Sequence, residues 1–128
     1  TGEIGCRIAV ENIFEDEPGN LAELVEALEH PRFGLCFDTG HFNLFSRIPL
    51  GGWLDRVGRS IVHLHLHDND RSADRHAPPG SGSFPFRELF RRMGPARPSM
   101  TLEAHSREDA IEGLRSLEAL LRPEEARP

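Results

Sequence analysis

Ile61-Val-His-Leu-His-Leu-His-Asp-Asn-Asp-Arg-Ser-Ala-Asp-Arg-His76 is the stretch on which the fold turns. Its first half alternates at period two. Val62, Leu64 and Leu66 point one way and His63, His65 and His67 the other, the pattern of a strand with one apolar face. Three imidazoles on the opposite face need polar partners if they are to be buried. The polar run from Asp68 to His76 adds three aspartates and another histidine. A strand that ends in ligand-type residues and enters a Gly/Pro loop presents a site at the carboxyl end of an α/β sheet.

Working outward, the same unit recurs. Strands are predicted over residues 7–12, 33–38, 61–67 and 99–103, each short and almost wholly apolar. Helices are predicted between and after them. Asn20 is expected to cap the first, with Glu23 as capping-box partner and Leu21, Leu24, Val25 and Leu28 as its core face. Pro31 stops it. Residues 39–41 read as a turn, 49–57 as a helix with Trp53 and Leu54, and 86–93 as a short helix ended by Gly94 and Pro95. Ser106 caps the last helix, with Asp109 at the matching position and Ala110, Ile111, Leu114, Leu117 and Leu121 facing the core. Strand-helix four times over implies a parallel sheet with right-handed crossovers.

Composition removes several classes of chemistry. All 15 basic side chains are arginine, and neither lysine nor tyrosine occurs. A Schiff-base mechanism is therefore excluded from this chain alone. The net charge of −6 argues against a nucleic-acid backbone binder, which carries a basic footprint. Cys6 and Cys36 lie in apolar runs at a spacing that suits no zinc motif, and are expected as buried free thiols. No stretch is long enough to span a membrane and no signal-peptide pattern opens the chain, so the cytoplasm is the expected compartment. At 128 residues a single domain, residues 1–128, is expected. The start at Thr1, directly before a strand, suggests a piece of a longer chain.

A metal-competent residue closes every predicted strand: Glu11, Asp38, His65 and Glu103. Side by side they would form an oxygen-rich site for Mn, Mg, Co or Zn. His41 lies three residues past Asp38 and is a candidate second ligand or substrate contact. Asp74 and His76, two apart in the loop, can face one point and hold another ion. His63 is expected as a satisfied core histidine, and His67 is left open between ligand and core.

These residues carry a resemblance. Val10-Glu-Asn12, the runs from Gly34 to His41, from His63 to Asn69 and from Asp74 to Gly82, and Leu102-Glu103 resemble the C-terminal half of the xylose isomerase-like barrel superfamily, which holds sugar isomerases and epimerases alongside endonuclease IV. The resemblance implies a (βα)4 half of a (β/α)8 TIM barrel. It implies Glu11, Asp38, His65 and Glu103 as ligands of one divalent metal, with His41 and Arg71 contacting substrate oxygens. In the endonuclease branch it implies a further zinc held by His41, Asp74 and His76. Ser81 stands where the glycine-rich loop usually carries an acid.

The expected activity is metal-dependent isomerisation or epimerisation of a keto sugar or sugar phosphate through an enediolate, with Glu11 and Glu103 moving the proton. The alternatives are a zinc phosphodiesterase acting on abasic DNA and a catalytically inactive half-barrel assembly module. Four strands cannot close a barrel. Pairing with a missing N-terminal half or with a second copy, as a homodimer, is therefore expected.

Overall fold

The computed structural model describes residues 4–95 and 97–123. Four strands, β1 (Ile8–Glu11), β2 (Phe33–Asp38), β3 (Ile61–Leu66) and β4 (Ser99–Leu102), form one sheet in the order β1-β2-β3-β4. All neighbours are parallel. Each crossover carries helix: α1 (Gly19–Leu28), then α2 (Thr39–Phe45) and α3 (Leu50–Val57), then α4 (Phe86–Met93), with α5 (Arg107–Leu121) after β4. Consecutive strands are neighbours throughout, so all four strand ends come to one rim of the sheet in chain order. The expected α/β architecture of strand-helix units stands.

Alternation sorts the side chains of β3 from His63 onward as expected, but not Val62: the register against β2 slips there, Ile61 takes the core position and Val62 is left half-buried. Leu64 and Leu66 are fully buried among helical residues, and His65 on the other face is only partly buried. The core on the helix side is aromatic. Phe37 of β2 meets Phe42 of α2, Trp53 of α3 and Phe84 at centroid separations of 5.5–6.3 Å. Such contacts add to the area these rings bury. The Trp53 indole donates to Ser46 Oγ at 2.9 Å, so its one polar atom is satisfied.

Several local expectations are corrected. Residues 39–41 are the first turn of α2 rather than a free turn: Asp38 is its N-cap, accepting from the His41 amide at 2.8 Å. Asn20 does not cap α1. The helix begins at Gly19 behind Pro18, Asn20 already lies in its first turn, and the Glu17 carboxylate accepts the Gly19 amide at 2.8 Å. The Ser106 cap on α5 forms as expected, accepting from the Asp109 amide at 3.0 Å. The core face of α5 forms only in part, with Leu117 in the core and Leu121 packed against it. Gly113 and Leu117 are buried, whereas Ile111 and Leu114 are 42% and 57% exposed. A Cβ at residue 113 would come within 3.0 Å of Leu102, so the helix docks through its glycine and the apolar stripe is turned partly off the sheet. Leu24 and Leu28 of α1 are exposed in the same way. Cys36 is buried, but Cys6 is exposed because it precedes β1 and no layer covers it. No helix among the described residues is long and apolar enough to cross a membrane.

Candidate metal centre

The carboxyl rim gathers what the strands end in. Glu11 and Asp38 close β1 and β2, His65 is the penultimate residue of β3, and Glu103 follows β4. His65 Nδ1 is the common point: it lies 2.9 Å from Glu11 Oε1, 3.1 Å from Glu103 Oε1 and 3.9 Å from Asp38 Oδ2. One donor atom from each of the four residues falls within 4.8 Å of all the others. Such a group, three carboxylates and one imidazole, matches the ligand count and hardness that a divalent ion takes.

The backbone around Asp38 is fixed by side chains that sequence reading does not single out. Asn12 bridges β1 to β2: its Oδ1 accepts the Asp38 amide at 2.7 Å and its Nδ2 donates to the Asp38 carbonyl at 3.1 Å. Thr39 reaches across to β3 and donates to the His67 carbonyl at 2.6 Å. His67, undecided from sequence, is fully buried beneath the rim with Nε2 2.7 Å from Asp38 Oδ1. That position needs a glycine nearby. A Cβ on Gly40 would stand 2.1 Å from the His67 ring. The run Asp38-Thr-Gly-His41 is thus a cap, a strap, a space and a ligand-type residue in sequence. His63 is satisfied as expected, by Ser99 Oγ at 2.7 Å and Thr101 Oγ1 at 2.8 Å, but it is only half-buried.

Electrostatics at the rim are unbalanced. Burial, then Asp38, pushes the Glu11 carboxyl above the ordinary range, against a downward pull from His65. Burial also acts to raise Asp38, but its hydrogen bond to His67, with those from Glu11 and the His41 amide, holds it below the ordinary range. Burial lowers His41 while Asp38, Asn12, Asp74 and Glu11 outweigh it and raise it. Two buried polar atoms at this rim have no hydrogen-bond partner, Asp38 Oδ2 and His67 Nδ1. An orphaned buried carboxylate oxygen is costly unless a cation or water meets it.

The loop after β3 is anchored by Asp68, a fully buried carboxylate. It accepts four backbone amides, from Asn69, Gly80, Gly82 and Phe84, at 2.9–3.1 Å. Asn69 receives Asn43 Nδ2 at 2.9 Å and the Arg71 amide at 3.0 Å. This clamp bends the loop back over the rim and leaves Arg71 and His76 in left-handed backbone conformations (φ 73° and 49°), which side-chain-bearing residues adopt only when surroundings enforce them. Asp74 is brought among three histidines, 3.4 Å from His41 Nε2, 3.7 Å from His67 Nδ1 and 4.0 Å from His76 Nε2. Among the described residues, however, the tight groups that include these histidines are Asp38-His41-His67 and His67-His76-Glu103, and Asp74 joins neither. His105, without a signal in the sequence, touches His76 ring to ring. Arg71 lines a cavity of about 400 Å³ with Ser46, Arg47, Ser83 and Glu88.

Comparisons with known proteins identify the family and the fold. Residues 1–120 match the family model described as xylose isomerase-like TIM barrel. The chain belongs to that family. Among solved structures, a D-tagatose 3-epimerase-like protein superposes with a TM-score of 0.80 at 24% identity, over 94% of this chain and 48% of that one. A Thermus thermophilus protein, from a crystal soaked with ZnCl2, superposes at 0.77 with 34% identity, over 99% of this chain and 48% of its own. Among curated proteins, an uncharacterised protein of Methanocaldococcus jannaschii is 29% identical over 98 residues, 71% of this chain and 33% of its own. Fructoselysine 3-epimerase of Escherichia coli O157:H7 is 42% identical over 43 residues, 34% of this chain and 16% of its own. The chain thus spans about half the length of these barrel structures and a third or less of the curated relatives.

Proposed function

We propose that this chain is the metal-holding half of a barrel enzyme that isomerises or epimerises a keto sugar or sugar phosphate. The observation that carries the reading is the convergence of Glu11, Asp38, His65 and Glu103 on one point around an orphaned, buried Asp38 oxygen. Names among the relatives, fructoselysine 3-epimerase above all, support a sugar as the substrate class. The donor set fits a divalent cation of the Mn, Mg, Co or Zn kind, and these four residues would hold it. When bound, such an ion supplies polarisation of a carbonyl and neutralises the charge that builds on adjacent oxygens.

The chain's own residues supply the rest. Glu11 and Glu103 come from the two outer strands and approach His65 Nδ1 at 2.9 and 3.1 Å. One takes the proton from the carbon beside the carbonyl; the other returns a proton to the opposite face of that carbon, which inverts the centre, whereas return to the former carbonyl carbon, with the hydroxyl proton passed between the two oxygens, isomerises the sugar. Asp38, locked by Asn12 and His67, holds position without exchanging a proton. His41, with Asp74 3.4 Å away, is placed to meet a substrate hydroxyl. Arg71 serves the far end of the substrate. A second ion around His41, Asp74 and His76 would instead belong to the zinc phosphodiesterase alternative.

Solvent-hydrogen exchange tests it. Keto sugars incubated with manganese-loaded protein in D2O should acquire deuterium beside the carbonyl, and Glu103→Gln should abolish the exchange. Absence of exchange across keto sugars and their phosphates would contradict the reading.

A further inference from the structure

At the opposite rim, where the strands begin, the chemistry reverses. A cavity of about 620 Å³ between α3 and the end of α4 is lined by Arg7, Arg59, Arg92 and Arg97. A second, of about 440 Å³ between α4 and α5, is lined by Arg87, Arg91, Arg97 and Arg122, with Phe90, Leu120 and Leu121 as its apolar wall. Arg97 belongs to both, and α4 stands between them. In the first cavity Arg92 is paired with Asp55. In the second no arginine is paired: among the described residues the arginines that form ion pairs are Arg47, Arg56, Arg75 and Arg92.

Helix α4 supplies half of that second set. The run Phe86-Arg-Glu-Leu-Phe-Arg-Arg-Met93 sets Arg87 and Arg91 four apart on one face, where like charges destabilise a helix. Gly94, with φ 67°, then turns the chain out of the helix in a conformation that a side chain would strain, and Arg97 follows three residues on. Helix dipoles do not account for the set. α4 and α5 both end beside this cavity, and each carboxyl terminus carries roughly half a negative charge. Together they offset about one of the four positive charges. Arg87 stands in the first turn of α4, the end at which the dipole opposes a cation. With 21 acidic residues against 15 basic ones, carboxylates that could neutralise the cluster are plentiful in the chain, yet among the described residues none is paired with it.

An anion that enters the cavity would neutralise the cluster. A guanidinium offers a planar, two-pronged donor that matches phosphate oxygens, and four such forks exceed the oxygens that one phosphate group presents. The volume and the apolar wall are those of a small-molecule pocket. We propose that the α4–α5 cavity binds an organic polyphosphate, with adjoining phosphate groups on Arg87, Arg91, Arg97 and Arg122 and an apolar or planar body against Phe90, Leu120 and Leu121. The site is built wholly from this chain. None of its residues belongs to the carboxyl-rim site, so it stands independently of the metal chemistry.

Adenosine diphosphate, pyrophosphate and sulfate would each be titrated calorimetrically into chelator-treated protein at low salt, so that no metal holds the phosphate. Adenosine diphosphate should bind one to one, tighter than pyrophosphate and at least about tenfold tighter than sulfate, and added salt should weaken it. Arg91→Ala/Arg122→Ala should weaken it about tenfold or more, whereas Arg59→Ala, in the other cavity, should leave it within about twofold. Absence of saturable binding would overturn the proposal, as would pyrophosphate or sulfate binding as tightly as adenosine diphosphate, or a double variant that binds like wild type. Wild-type chain that cosediments with phosphatidylglycerol vesicles and binds no adenosine diphosphate would assign the arginines to a lipid surface and overturn it too. Circular dichroism reports whether the double variant is folded. If it is not, phenylglyoxal modification of wild type decides: adenosine diphosphate should protect Arg91 and Arg122 but not Arg59, and equal modification with and without it refutes the proposal.

Discussion

The two rims of this sheet are built from opposite chemistry on one backbone. At the carboxyl rim the ligand-type residues are ordered to hydrogen-bond accuracy: Asp38 by Asn12 and His67, the loop by Asp68, the His67 ring by the space at Gly40. At the amino rim the arginines stand around a cavity with one carboxylate partner, Asp55, among the described residues. Buried polar groups that are fixed by several partners are costly to alter, whereas exposed charges held by none are cheap. The carboxyl rim is therefore a preorganised site, and the amino rim is a surface.

Substitutions should separate the rims in that order. Asp68→Ala removes the acceptor of four backbone amides and should cost about 3 kcal/mol or more in denaturant unfolding. A loss below about 1 kcal/mol would mean the loop is held by other contacts. Gly40→Ala drives a methyl into the His67 ring and should cost about 2 kcal/mol, with metal affinity falling alongside. Zinc or manganese at about a hundred times its dissociation constant should stabilise the chain by about 2.7 kcal/mol, reversed by chelator. Arg59→Ala at the amino rim should change stability by no more than about 0.5 kcal/mol. The smallest effect expected is on Cys36. Burial, with Glu11, Asp38 and Glu103 nearby, pushes its thiol up to about 12. Thiol reagents at about pH 8, near the ordinary thiol range, should then label only exposed Cys6 in the folded chain, and both cysteines once it is unfolded. Rapid labelling of native Cys36 would show that the sheet opens.

Much of the fold is legible in the sequence because its signals are local. Alternation in residues 61–67 and apolar runs ending in an acid at Glu11 and Asp38 specify parallel strands directly. The residues that converge can be named because strand ends in a parallel sheet share a rim. What escapes depends on partners distant in sequence. Asp68 and Asn69 look like solvated loop residues until glycines a dozen positions later fold back onto them. Asp38 as a helix cap hides α2, since a short Thr-Gly-His opening has weak helix propensity. The periodicity of α1 and α5 implies covered flanks on both sides, yet α1 packs on β2 and α5 on β4, and Leu24, Leu28, Ile111 and Leu114 stay exposed. His105 carries no signal of its own and gains its place only through the backbone at the end of β4.

The central claim is that the four strand-end residues hold one divalent cation. Its most direct test is equilibrium titration of zinc and of manganese into chelator-treated protein, with elemental analysis of the metal retained per chain. The account predicts a tight ion bound through the quartet, weakened about a hundredfold or more by His65→Ala and untouched by Arg59→Ala. A folded chain that retains no ion, or a His65→Ala variant that binds as tightly as wild type, would contradict it.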